Sequence, residues 1–152
     1  MTEGLFVRTA TCEDSRLYWE WANEEAVRAA SFSSEPVPWS THVAWFEKRV
    51  AAPDCRLYLV CETSGDPVAQ VRFEIEGEKA VVSISVGAEH RHKGYGLRAL
   101  ELSMKRFFSE TNVRTLDAFI RPENEASLRL FERAGYSLGR SAIVSGQTAV
   151  RM

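Results

Sequence analysis

The hydrophobic period of this chain changes once in its middle third, and the change falls on a pair of glycines. Upstream, Arg56 to Glu62, Pro67 to Ile75 and Ala80 to Val86 show the alternating or continuously apolar patterns of strands. Ser64-Gly65-Asp66-Pro67 and Glu76-Gly77-Glu78-Lys79 separate them, turns short enough to make the three strands an antiparallel meander. Downstream, Leu97, Leu100, Met104, Phe107 and Phe108 recur at helical spacing. Gly94-Tyr95-Gly96 is therefore a strand-to-helix junction, which commits the chain to mixing sheet and helix in one fold.

The flanking segments extend this pattern. Leu5 to Arg8 predicts a short strand, and Thr11-x-x-Asp14 a capping-box start to a helix reaching about Asn23. Pro36 and Pro38 mark a loop, after which Val43, Phe46 and Val50 predict a helix following Trp39-Ser40. Thr115 to Ile120 reads as one buried strand. Leu128, Phe131 and Ala134 predict a helix ended by Gly135. Tyr136 to Val144 and Thr148 to Met152 read as closing strands. A meander passing into a strand-helix-strand-helix-strand unit is a mixed α/β sandwich.

At 152 residues and 45% hydrophobic the chain suits a single domain, residues 1–152. A formal charge of −2 excludes the global basic field that holds a nucleic-acid backbone, so any anion site is local. No segment approaches the roughly 20 apolar residues of a membrane span, and the N-terminus has no basic-then-apolar leader. A cytoplasmic protein without membrane or nucleic-acid partners is expected. Cys12, Cys55 and Cys61 form no C-x-x-C and suggest neither disulfides nor a metal site; they read as small apolar side chains.

Arg91, His92 and Lys93 stand just before Gly94-Tyr95-Gly96. Glycines admit a ligand close to the backbone, and the open N–H groups of a helix start bind phosphate oxygens, with the cations adding local attraction. A G-x-x-x-x-G-K-[ST] loop is absent. Gly94 to Ala99 does match the dinucleotide pattern G-x-G-x-x-[GA], with Asp117 about 20 residues on. That pattern expects its first glycine directly after a strand and its acid at a strand end, whereas here a charged segment intervenes and Asp117 lies inside a predicted strand.

Arg91-x-x-Gly94-x-Gly96 resembles the Q/R-x-x-G-x-G/A signature of the GCN5-related N-acetyltransferases (GNAT), and Asn124-x-x-Ser127-x-x-Leu130-Phe131-x-x-x-Gly135-Tyr136 resembles their second conserved segment. The resemblance runs from Arg8 to about Tyr136. It implies a mixed, mostly antiparallel central sheet flanked by helices, splayed to admit the pantetheine of acetyl-CoA, with no metal. It further implies that Ser85, Val86 and Gly87 provide the edge to which pantetheine bonds, and that Arg91, His92, Lys93, Gly94, Tyr95 and Gly96 hold the pyrophosphate. Asn124 and Ser127 would contact the pantetheine or its thioester end, and Arg133 would reach the phosphates. Asn124 also reads as a helix cap.

Acetyl transfer to an amine needs a neutral nitrogen, so a base is expected. Glu74 is the leading candidate, because Arg72, Glu74 and Glu76 share one strand face opposite Val71, Phe73 and Ile75. His42 has a suitable ordinary pKa. Ser83 and Ser85, interrupting an apolar strand, are candidates to hold a proton-carrying water. The family's usual acid Tyr is Phe131 here, so either another group donates the proton or the thiol, near pKa 8.5, leaves unaided as an anion. Tyr95 and Tyr136 are the nearest phenols in sequence.

All four tryptophans, Trp19, Trp21, Trp39 and Trp45, lie in the first third of the chain. Aromatic rings beside Asn23, Arg28, Ser31 and His42 suit a sugar or base, with Arg28 reaching a phosphate. This region resembles the ribosomal-protein alanine acetyltransferase branch, and within it the nucleotide-linked amino-sugar enzymes of the pseudaminic-acid type. The expected acceptor is the primary amine of a UDP-amino sugar. A protein N-terminus, a polyamine or a non-catalytic CoA-binding module are the alternatives. A homodimer is compatible with this reading.

Overall fold

The computed structural model describes residues 4–24, 27–28, 35–91, 94–139, 141–144 and 147–152, and no side chain is described at 88 or 141–149. Strands β1 (Phe6–Thr9), β2 (Cys55–Cys61), β3 (Pro67–Glu76), β4 (Lys79–Val86) and β5 (Thr115–Asp117) form one sheet in chain order. Every pairing in it is antiparallel except β4 with β5. The expected α/β architecture, a mostly antiparallel sheet flanked by helices, is the one observed.

The period-two pattern of β3 explains its place. Val71 and Phe73 are fully buried, while Gln70, Arg72 and Glu74 on the other face are half-buried. The buried face packs on α3 (Tyr95–Glu110), where Phe107 stacks on Phe73 with centroids 4.2 Å apart. Burying each such ring contributes about 1.5 to 3 kcal/mol. α4 (Glu125–Arg133) joins the same core through Phe131. On the opposite face, α1 (Ser15–Ala22) and α2 (Trp39–Val50) cover mainly β2, with Tyr18 and Phe46 against Leu57, Leu59 and the free thiols Cys55 and Cys61. Cys12 is exposed rather than packed. These helices leave the polar face of β3 and β4 as a half-covered floor.

Three boundaries differ from expectation. The capping box is present, with the Thr11 N–H donating to Asp14 Oδ2 at 2.8 Å, but its first turn, Cys12–Asp14, is a 3-10 turn that leads into α1. The segment 115–120 is not one strand. Ala118 exchanges both backbone hydrogen bonds with Met152, at 2.8 Å each, so the chain leaves β4 and continues as β6 (Phe119–Ile120) in a second sheet. That sheet has the order β6-β8-β7, with β7 at Ser141–Val144 and β8 at Gln147–Arg151. Tyr136 does not begin a strand, because its N–H turns back to the Phe131 carbonyl after Gly135, whose φ of 98° closes α4.

Candidate active site

The parallel pairing of β4 with β5 runs only from Lys79–Val81 to Thr115–Asp117. Beyond it β5 gives way to β6, which pairs with β8 instead, so residues 82–86 of β4 face a wedge rather than a neighbouring strand. The wedge opens into a cleft of about 740 Å³, lined on one side by Ile84, Ser85 and Val86 and on the other by Asn124, Ser127 and Arg133 of the α4 segment. Gly94 and Gly96 form its mouth.

Local sequence builds that mouth. Gly94 has φ 79°, a left-handed conformation that glycine adopts without penalty, and the chain enters α3 at Tyr95 from it. Among the described residues no side chain caps the α3 N-terminus, which leaves its first N–H groups for a ligand. Gly87 allows a close approach: a Cβ there would lie 3.0 Å from Trp21 Cζ2, which would have to shift. Trp21 thus packs directly against the end of β4. Asn124 caps α4 by accepting from the Ser127 N–H at 3.2 Å, so its structural role is present while it lines the cleft. Arg129 also lines the cleft, and Arg133 has no ion pair among the described residues. An acyl-CoA fits this set: a free strand edge for an amide-bearing arm, and open N–H groups with arginines for phosphates.

Arg91 lines the cleft and is ion-paired as well. Its Nη1 and Nη2 donate to the two carboxylate oxygens of Glu24 at 2.6 Å each, and its Nε donates to the Val86 carbonyl at 3.1 Å. Its guanidinium braces the segment after α1 against the end of β4. His92 and Lys93 lie outside the described residues. Tyr95 contributes its backbone position, since its hydroxyl turns to Glu62 at 3.3 Å and its ring does not line the cleft.

Of the candidate bases, His42 is corrected. It is buried between α1 and α2, where its Nε2–H donates to the Ser15 carbonyl at 2.7 Å and its ring stacks on Trp39. Burial lowers its pKa, against the smaller opposing effect of that bond, so it remains a neutral tie between helices. Glu74 and Ser83 stand on the polar floor. Glu74 lies between Arg49 Nη1 and Arg72 Nε, each 3.7 Å away. Ser85 Oγ is buried in the cleft wall without a hydrogen-bond partner among the described residues. Phe131 is a core residue, edge-on to Tyr136, whose hydroxyl points to Met104 Sδ at 3.1 Å. Burial raises the Tyr136 pKa, and neither phenol in the neighbourhood faces the cleft.

The residues expected to hold the acceptor instead hold the scaffold together. Trp19 Nε1 and Asn23 Nδ2 both donate to the Val37 carbonyl, at 2.7 and 2.9 Å, and Asn23 Oδ1 accepts from the Val37 N–H. Arg28 Nε donates to the Ala22 carbonyl at 2.6 Å and Nη1 to that of Glu35. Trp39, half-exposed, packs edge-on against Trp19. These bonds tie Glu35 and Val37, just before α2, to α1 and the residues that follow it. Ser31 lies outside the described residues. Sequence reasoning missed Arg49, and it passed over Trp21, Trp45 and Arg72, which adjoin the floor and the end of β4. It also missed His90, which lines the cleft. Only Arg72 carried a signal, its place beside Glu74 on the polar face of β3.

Comparison with known proteins bears on this geometry. A family model described as an acetyltransferase (GNAT) domain matches residues 5–137. YwnH of Bacillus subtilis (strain 168), provisionally named a phosphinothricin acetyltransferase, is 30% identical over 118 residues, 74% of this chain and 71% of that one. Among solved structures, spermidine N-acetyltransferase from Vibrio cholerae with CoA and spermine superposes with a TM-score of 0.86 at 18% identity, covering 97% of this chain and 93% of that one. AAC(6')-Ib with ribostamycin and coenzyme A superposes with a TM-score of 0.85 at 16% identity, covering 98% and 92%. The fold alone would follow from the structures; the family model and the relative add sequence, and together they establish that the chain belongs to the GNAT acetyltransferases as an acetyl-CoA-dependent N-acetyltransferase.

Proposed function

We propose that the acceptor is the primary amine of a nucleotide-linked amino sugar. The donor side rests on one observation, the free edge of β4 beyond Val81 opening onto the uncapped N-terminus of α3. Acetyl-CoA supplies the acyl group there as a thioester. Ser85 and Val86 border the pantetheine path, Asn124 and Ser127 face them across the cleft, and Arg129 and Arg133 attract the phosphates at its outer end.

The acceptor approaches from the polar floor, between the ends of α1 and α2, beside Trp21 and beside Trp45, whose ring holds Arg72. A primary amine near pKa 10 is charged at neutral pH and must lose a proton before attack. Glu74 is the carboxylate on that floor, and water held by Ser83 and Ser85 links the amine to it. The thiolate departs unaided, consistent with buried Phe131. Support for a sugar comes from the aminoglycoside acetyltransferase among the structural neighbours.

The test is release of CoA thiol with a UDP-amino sugar, the free amino sugar, spermidine and an N-terminal peptide. The highest kcat/KM is expected for the UDP-amino sugar, and Glu74→Gln is expected to lower kcat/KM about 100-fold at pH 7 with recovery toward pH 9. Preference for spermidine or peptide overturns the acceptor. Unchanged turnover in Glu74→Gln removes the base, and retained CoA without turnover of any amine overturns catalysis.

A further inference from the structure

Arg49 and Arg72 meet one carboxylate without a hydrogen bond to it. Two other arginines are paired closely: Arg8 holds Asp14 through two hydrogen bonds of 2.8 Å, and Arg91 holds Glu24 through two of 2.6 Å. On the polar floor, two arginines share the single carboxylate of Glu74, each at 3.7 Å, too far for a hydrogen bond. Each guanidinium presents five N–H donors. Among the described residues the Arg49 guanidinium donates no hydrogen bond, and Arg72 donates one, from Nη2 to Ser83 Oγ at 3.5 Å. The Nε of both is buried and unpartnered.

Position makes this excess useful. Arg72 is held with its guanidinium carbon 5.2 Å from the centroid of the Trp45 ring, which fixes the plane without using a donor. It stands opposite Ser83 in the β3–β4 register, and Ser85, two residues on, lines the acyl-CoA cleft. Two strand residues span about 7 Å. Side chains of Arg49 and Arg72 are each 33% exposed, so the cluster is reachable from the side on which the acceptor enters. Two cations against one carboxylate leave a net positive charge there, in a chain whose overall charge is negative.

We infer that Arg49 and Arg72 form an anion subsite for the acceptor, which carries a carboxylate or phosphate group within about 7 Å of the amine that is acetylated. The inference rests on the acetyltransferase reading and sharpens it, because it selects acidic acceptors and rejects polycations. An acceptor anion takes donors now directed at Glu74, which frees that carboxylate to receive the amine proton as the acceptor arrives.

Matched amines test it: 2-aminoethyl phosphate against ethanolamine, β-alanine against its amide, and a UDP-amino sugar against the free sugar. Each is measured by turnover with acetyl-CoA and by calorimetric titration into the CoA complex, for wild type, Arg72→Gln and Arg49→Gln. Wild type should favour the anionic member of at least one pair by tenfold or more. Each variant should lose about 10- to 100-fold on that member and under threefold on its neutral partner, with KM for acetyl-CoA unchanged. Whether the phosphate or the carboxylate pair shows the preference identifies the anion. A preference for neutral or polycationic amines, or equal losses on both members, overturns the subsite. If no amine turns over, titration decides: anion binding lost in either variant upholds the subsite while catalysis fails, and absence of such binding overturns it. Arg49, on α2 at the edge of the floor, gives a second variant if Arg72→Gln does not fold.

Discussion

At the scale of single residues, Arg91 shows how a motif position that lines the cleft can also brace it. Its three donors to Glu24 and Val86 tie the segment after α1 to the end of β4, and both partners of the ion pair are only 28% exposed. A bidentate pair of this kind is stronger than a surface ion pair. Glu24→Gln should therefore loosen the cleft mouth and raise KM for acetyl-CoA about tenfold while changing kcat less than threefold. Initial rates over an acetyl-CoA series check this, and an unchanged KM would remove the brace from the account. The glycines and Arg91 were legible in sequence because a strand-to-helix turn is a local requirement. Glu24 was not, since it lies 67 residues away and nothing local marks it as a partner. His42 failed in the opposite sense. Its ordinary pKa suggested a base, but sequence could not show that the ring is enclosed by Trp39, Trp45 and Phe46.

Elements explain why the donor side could be read and the acceptor side could not. The meander and α3 follow from periods of two and 3.6 in contiguous segments, and their order brings the end of β4 to the start of α3. The break at Ala118 has no such local cause; it depends on Met152, 34 residues on, offering a better backbone partner than β4. The acceptor residues lie on α1, on α2 and between them, where Trp19, Asn23 and Arg28 satisfy backbone carbonyls that a sequence does not reveal as exposed. The junction itself yields a controlled comparison. Gly94 and Gly65 have φ of 79° and 97°, so an added Cβ costs about 1 to 2 kcal/mol at either. Gly94→Ala and Gly65→Ala should each lower the melting temperature by a few degrees. Only Gly94→Ala, which distorts the α3 N-terminus, should also raise KM for acetyl-CoA. Equal KM effects in the two variants would show that the junction has no special part in binding.

For the whole molecule, the wedge means that two sheets meet over a narrow seam. Ala118 with Met152, and Arg151 with Asp117 at 3.0 Å, join them just past the last β4–β5 pairs. A ligand in the cleft touches β4 of the first sheet and α4, which leads into β7 of the second, and so acts as a further connection between them. Binding to the folded state alone stabilises it by about 2.7 kcal/mol at 100 times the dissociation constant. For a chain of this size that corresponds to a rise of about 5 to 10 °C in melting temperature. Saturating CoA should give a shift in this range, and hydrogen exchange should slow together in residues 82–86 and 125–133. The joint protection is the discriminating part, because general stabilisation would slow exchange in β1 and β2 as much as across the cleft. A thermal shift without paired protection would place CoA elsewhere than the wedge. An acidic amine added to the CoA complex should then extend protection to residues 70–74 of β3 and to the end of α2, where Arg72 and Arg49 stand, and this second step should vanish in Arg72→Gln while the first remains.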